Sequence, residues 1–371
     1  MEQLPANVPA IKSKLPNAPE FICVDAWDSY VAKEEFYQKI LKSKSETIVY
    51  CGQNEWDYHD AYHRFNDVLK FLESQGRTYH VITGGYPHPN EPKNTSLKVY
   101  HWIDYYMKKT FNACIHNSKS VSGSDFANFG YYKQSLERTH FNHYITSLNY
   151  RSHNHRCHLI DLMAKNNLIE NNAIAWHHLN HLGGHASTYD WKYFESKQLV
   201  LSDNFNDGWM SPPKQYFDSF AQIISESTEF VTIFSEKTVM GLICHKPFLI
   251  AGPVGIHGKL KNLNFEFYDE IFDYSFDIET DREIRYQMIL ENFVRLQEEN
   301  TLDDLVKLQK KLLPKILHNF ENLKKIVFDF STVPPLMRKM YNIHSFNGID
   351  YNHWSNGMLE SLDGVRGDFY K

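Results

Sequence analysis

Apolar runs of strand length alternate along this chain with stretches of helical spacing. FICVDAW at 21–27 and TIVYCG at 47–52 are such runs, and YVAKEEFYQKILKSK at 30–44 between them repeats its apolar residues at helical intervals. DYHDAYHRFNDVLKFLESQG at 57–76 is amphipathic and stops at Gly76, a residue suited to the position just past a helix. TYHVITGG at 78–85 reads as a third strand with a glycine exit. Strand, helix, strand, helix, strand predicts a parallel sheet with helical crossovers. Ahead of it, Pro5, Pro9 and Pro16 make residues 1–20 an extended arm. Residues 94–140 show no clear period.

A second alternation begins at HFNHYITSLN, 140–149. A helix is expected over 155–169, a strand over 172–177 and another over 219–227. SEKTVMGLICH at 235–245 reads as a helix, KPFLIAG at 246–252 as a strand, and FEFYDEIF at 265–272 as one strand more. Thr280 and Glu283 stand in capping-box spacing before a long helix. The segment from Thr301 onward is helical, with a kink expected at Pro314. The fold class expected is α/β: two Rossmann-like domains facing a cleft, with a helical C-terminal region. The boundaries expected are 1–139, 140–345 and a tail at 346–371. In such sheets ligands bind at the carboxyl ends of the strands.

Composition narrows the class. With 371 residues there is enough chain for two domains. Hydrophobic residues make up 42% and charged residues 23%, ordinary for a globular protein. The net charge of −6 supplies no global basic field for nucleic acid, although Lys39, Lys42 and Lys44 form a local patch. Five cysteines at 23, 51, 114, 157 and 244 form no C-x-x-C pair, which suits reduced thiols in a cytoplasmic setting. The N-terminal residues lack an apolar signal core, and no stretch is apolar enough for a membrane span.

Residues 234–255, FSEKTVMGLICHKPFLIAGPVG, set two opposite charges at the start of a helix. Ser235 is the expected N-cap, which puts Glu236 and Lys237 in the first turn. Glu236 complements the helix dipole there, so capping alone accounts for it. Lys237 does not, because a cation at a helix N-terminus is mildly unfavourable. A second reading accounts for both: the carboxylate takes two vicinal ribose hydroxyls, while the amine and the free N–H groups of the first turn take phosphate.

The arrangement ISES-x(7)-SEK-x(8)-KPFLIAGP resembles the donor-binding region of fucosyltransferase-type enzymes, and more closely the related glycosyltransferase-like proteins of marine phages and other large-genome viruses. HYITSLNYRSHNHRCHLIDLMAKNNLI, with its His-Arg pair opening a helix, and KILHNFENL are in keeping with that family. The resemblance covers about residues 140–325. It implies a GT-B-like glycosyltransferase, inverting and metal-independent, that moves a sugar from a nucleotide-sugar donor to an acceptor hydroxyl. No further cofactor is implied. Glu236 and Lys237 match the family's Glu-Lys pair, with Ser235 before them. Glu226 matches a family Glu, while Ser227 stands where the family carries Asn. Ile233 stands where fucosyltransferases carry an aromatic. Arg156 suits the diphosphate, with Arg151 as second choice; a surface or C-cap salt bridge is the competing account of either.

Other motifs carry less. GPVGIHGK at 252–259 fails the P-loop spacing and lacks a Ser or Thr after Lys259, so a glycine turn at a close approach is the better reading. His177 and His181 stand four apart, as metal ligands on one helix face do, but without the Glu of H-E-x-x-H. No D-x-D occurs, and DIETDRE at 277–283 suits a helix N-terminus. Lys307, Lys311 and Lys315 make a solvated stripe.

The base on the acceptor is expected in a loop leaving a strand of the first domain. GQNEWDYHD at 52–60 offers Glu55 and Asp57, with His59 beside them; helix capping is the competing account. The loop GGYPHPNE at 84–91 is on the same edge. Three functions stay open: transfer to a glycan or other hydroxyl, transfer to a hydroxymethylated base in DNA, and a non-catalytic glycan- or nucleotide-binding module.

Overall fold

The computed structural model describes residues 47–52, 78–87, 97–104, 138–149, 153–176, 189–195, 214–229 and 231–332, with short pieces at 107–108, 110–111, 345–346 and 349–350 and single positions at 74, 76, 136 and 199. The chain divides into two compact units, one of residues 1–105 with 328–371, the other of residues 106–327.

In the first unit, β1 (Thr47–Gly52), β2 (Thr78–Thr83) and β3 (Leu97–His101) form a parallel sheet in that order. Two of these strands are the apolar runs expected there. The third lies in the stretch without a clear period, because Lys98 and His101 break up its short apolar pattern. Gly76 adopts the left-handed φ of +62° that its expected place past a helix calls for. The expected arm at 1–20, strand at 21–27 and helix at 30–44 lie outside the described residues. The short strands β8 (Ser345–Phe346) and β9 (Ile349–Asp350) pair antiparallel.

The second unit is built on a four-stranded parallel sheet of β4 (His143–Asn149), β5 (Ala173–Trp176), β6 (Ser219–Ser225) and β7 (Phe248–Ala251). Their order across the sheet is β5-β4-β6-β7. β5, β6 and β7 are buried at every position, as strands covered by helices on both faces must be. Helix α1 (Asn154–Lys165) joins β4 to β5. The single turn α2 (Lys214–Phe217) precedes β6, and α3 (Glu236–Ile243) joins β6 to β7. Gly241 lets α3 lie close on the sheet: a Cβ there would stand 3.0 Å from Gln222 Oε1 and 3.2 Å from the Phe248 ring. Helix α4 (Ile256–Asn262) follows β7, and α5 (Arg282–Glu299) packs on α1, β4 and β7.

Three expectations are corrected here. Residues 265–272 form no strand. Their apolar side chains Phe265, Tyr268 and Phe272 are buried with turn-like spacing, and Asn319 takes both backbone groups of Glu266 at 2.7 and 2.9 Å. That side chain satisfies what a neighbouring strand would have satisfied. Helix α5 is capped by Asp281, not Thr280: one carboxylate oxygen accepts from Glu283 N at 2.8 Å and Ile284 N at 3.1 Å. The helix expected to run to 169 stops at Lys165, where Asn166 and a left-handed Asn167 turn the chain.

Helix α6 (Leu302–Phe328) carries Pro314 inside it. Lys307 and Lys311 are solvated as expected, but Lys315 is not merely so: its ammonium reaches the carbonyl of Phe267 at 2.6 Å and Glu270 at 2.9 Å.

The amino end of the sheet is closed by a buried lysine. Lys246 donates to the carbonyl of Ser219 and, at 3.1 Å, to its hydroxyl, and lies 4.9 Å from the centre of the Tyr216 ring. Burial pushes its amine well below the usual lysine range.

Candidate functional site

The strand order alone locates a topological switch point. From β4 the chain passes through α1 to β5 on one side, and later returns to β6 on the other. The order therefore reverses between β4 and β6, and open parallel sheets bind ligands at the carboxyl ends of the strands at such a point.

The backbone pairing changes at the same place. The register of β4 with β6 ends at Thr146↔Gln222, while β4 stays paired with β5 to Asn149↔Trp176 and β6 with β7 to Ser225↔Ala251. Residues 147–149 and 223–225 thus extend past the last β4–β6 pair. Side chains from the first turn of α1 take carbonyl oxygens at the end of β6. His155 Nε2 donates to the carbonyl of Glu226 at 2.8 Å, and Arg156 Nη2 lies 3.4 Å from the carbonyl of Ser225 and 3.5 Å from the Ser227 hydroxyl. Burial is the main reason that the His155 pKa falls to about 3, with the neighbouring Arg156 adding to it, so the ring is a neutral donor. Its neighbour His153 stacks on it at 5.6 Å.

Glu226 follows β6 directly and is 2% exposed. One oxygen, Oε1, accepts from Ser235 N at 3.2 Å and from the Thr238 hydroxyl at 2.6 Å. Its backbone N–H donates to the carbonyl of Ala251, so the residue ties α3 to the exits of β6 and β7. Gly252 makes room for this, since a Cβ there would meet Glu226 Cβ at 3.3 Å. Burial raises the Glu226 pKa; Lys237 and the two hydrogen bonds pull the other way without cancelling it.

Ser235 caps α3 as expected, accepting from Lys237 N at 3.3 Å. Glu236 and Lys237 occupy the first turn and their side chains pair with each other, each largely covered. Ile233 is buried in the loop before them. The six residues expected at the donor site, Arg156, Glu226, Ser227, Ser235, Glu236 and Lys237, are therefore close along two adjoining segments, the first turn of α1 and the β6–α3 connection. Arg156 is 2% exposed, which removes the surface salt bridge as an account of it.

Polar atoms without partners gather here too. Asn149 Oδ1, Trp176 Nε1, Ser225 Oγ and Glu226 Oε2 are buried and make no hydrogen bond among the described residues. They stand at the ends of three adjacent strands. Buried polar atoms are nearly always satisfied, so a cluster of exceptions at a switch point calls for an explanation. Asn149 closes the run at 140–149, and Trp176 is the last residue but one of the strand expected over 172–177; those positions are the signal the sequence offers for them.

The glycine turn has a structural occupant. Gly255 adopts φ +76° and its N–H meets the carbonyl of Asp277 at 2.6 Å. The Asp277 carboxylate accepts from His257 N, His257 Nδ1 and Gly258 N at 3.0, 3.0 and 2.8 Å. The start of α4 is thus filled by the chain's own carboxylate, where a P-loop would hold phosphate. His257 Nε2 in turn accepts from Ile250 N on the edge strand β7 at 3.1 Å.

The candidate bases Glu55 and Asp57, with His59, lie outside the described residues, as do Arg151, His177 and His181. Of the loop at 84–91, Gly84 and Gly85 are buried and Gly85 O accepts from His101 at 2.8 Å. Among the described residues no three of His, Cys, Asp and Glu are grouped to hold a metal ion, and no helix is long and apolar enough to cross a membrane. No protein-family model matches the chain, and no curated protein or solved structure matches it either.

Proposed function

We propose that this chain is a glycosyltransferase that binds the diphosphate and ribose of a nucleotide-sugar at the switch point of the second unit and moves the sugar to an acceptor hydroxyl. The observation that carries the reading is the convergence there of Arg156 from α1 with Glu226, Ser227, Glu236 and Lys237 from the β6–α3 connection. A diphosphate needs cations and backbone donors; Arg156, Lys237 and the start of α3 are those groups. A ribose needs acceptors, and carboxylates stand beside the cations. The resemblance of the same residues to fucosyltransferase-type enzymes supplies the sugar transfer.

The reading carries a GT-B-like organisation, two Rossmann-like domains with the acceptor served by the first, and an inverting reaction with Glu55 or Asp57 as base. It also carries metal independence, because Arg156 and Lys237 can neutralise the leaving diphosphate without a cation. A glycan hydroxyl is the preferred acceptor; the net charge of −6 weighs against DNA.

Incubation with a panel of nucleotide-sugars tests this. Slow hydrolysis to the free nucleotide, undiminished in EDTA, is the expected result. Binding without any turnover would leave a nucleotide-binding module, and absence of binding across the panel would remove the proposal. Activity lost in EDTA and restored by Mg²⁺ or Mn²⁺ would remove the metal-independent mechanism alone.

A further inference from the structure

We propose that Asn149, the last residue of β4, accepts a hydrogen bond from a hydroxyl of the bound ligand; the inference rests on the nucleotide-binding reading above. The amide of Asn149 is held in one orientation. Its Nδ2 donates to the Ser147 hydroxyl at 3.0 Å and to the carbonyl of Ala175 at 3.3 Å. A carbonyl oxygen only accepts, so the atom facing it must be the NH₂ group, and the other atom is Oδ1. That Oδ1 is buried and has no partner among the described residues. It lies at the sheet's switch point, past the end of the β4–β6 register.

A buried acceptor held in one orientation selects the chemistry of its partner. Phosphate oxygens at neutral pH offer it nothing, since they also accept. A hydroxyl offers the missing proton. The polar groups at the switch point therefore divide in kind: Arg156, Lys237 and the start of α3 are donors for phosphate, and Asn149 Oδ1 is an acceptor for a hydroxyl. A sugar phosphate has both in one molecule. Sites built to hydrogen-bond a hydroxyl discriminate strongly against analogues that lack it, because their own polar group is then left unpaired.

The test uses the full chain and calorimetric titration with four probes: a nucleoside diphosphate, its 2′,3′-dideoxy analogue, the matching nucleotide-sugar, and inorganic pyrophosphate. Asn149→Leu removes the acceptor at similar volume. The expected result is a loss of about tenfold or more in affinity for the nucleoside diphosphate, with pyrophosphate binding as in wild type. The variant should also distinguish ribo from dideoxy less well than wild type does. If the hydroxyl belongs to the transferred sugar, the loss appears with the nucleotide-sugar alone, and the inference stands with that source. Wild-type affinity for the nucleoside diphosphate and the nucleotide-sugar in Asn149→Leu overturns it; a structural water on Oδ1 would give that result. An equal loss for pyrophosphate also overturns it, since that points to damage of the whole site. Should the Leu variant not fold, Asn149→Ala is read by the same criteria. Wild-type protein that binds none of the nucleotides defeats the nucleotide reading itself, a result distinct from a variant that binds as wild type does.

Discussion

His155 Nε2 donates a 2.8 Å hydrogen bond to the carbonyl oxygen of Glu226, joining the first turn of α1 to the exit of β6 inside the protein. The ring serves as a neutral donor, and burial pushes its pKa to about 3. The sign of the linkage follows. A histidine depressed in the fold binds fewer protons than in the unfolded chain between its folded value and about 6.5. Stability from His155 is complete above that range and is lost as pH falls from about 6.5 toward 3. At one pKa unit per about 1.4 kcal/mol, the ceiling is roughly 5 kcal/mol. Denaturant melts of wild type and His155→Gln across this window check it. The Gln variant keeps a neutral donor and should show a shallower fall; equal slopes would remove His155 from the account.

Glu236→Ala should abolish nucleoside diphosphate binding in a protein that still folds. The pair Glu236–Lys237 is largely covered, so the variant also melts lower, because Lys237 is left without its carboxylate. Ser235 keeps the cap in the variant. Calorimetry showing wild-type affinity would end the assignment of the donor to this turn.

Glu55→Gln should lower turnover by about 10²–10⁴-fold, the usual contribution of a general base, with donor affinity preserved. Asp57→Asn is the companion variant. Turnover within a few-fold of wild type in both moves the base elsewhere, with the loop at 84–91 next in line.

Asp277→Ala should destabilise the fold by about 2–4 kcal/mol, through the loss of charge-assisted bonds to three N–H groups, the two of His257 buried and that of Gly258 partly so. Burial alone would raise the Asp277 pKa, but the bonds from His257 and Gly258 outweigh it and the net shift is downward. Its stabilisation is therefore present above the unfolded carboxylate value and is lost as pH falls through the folded one. Chemical denaturation of the variant at neutral pH measures the loss; a change under 1 kcal/mol would show that the turn at Gly255 holds without it.

The alternation of apolar runs and helical spacing was enough to specify β1, β2 and β4 to β7, and the helices α1 and α3; it is plainest at β5 and β7, where strands buried at every position leave uninterrupted apolar runs. Ser235 as cap was equally legible, since capping is a contact over two residues. Contacts across longer separations were not. Asn319 stands in for a strand partner to Glu266 from 53 residues away, so FEFYDEIF looked like a strand and is none. Asp277 lies in an acidic run that suited the helix after it, yet caps the helix before it, because the turn at Gly255 brings α4 back to it. The sequence by itself determined β1, β2 and β4 to β7 as strands and which charges open α3. Only the tertiary structure decided that β5 and β6 flank β4 on opposite sides, which puts Asn149 at the end of a central strand and brings Arg156 to the exit of β6. Strand order is chosen by how helices cover a shared sheet, a free energy spread over the whole core and carried by no single motif.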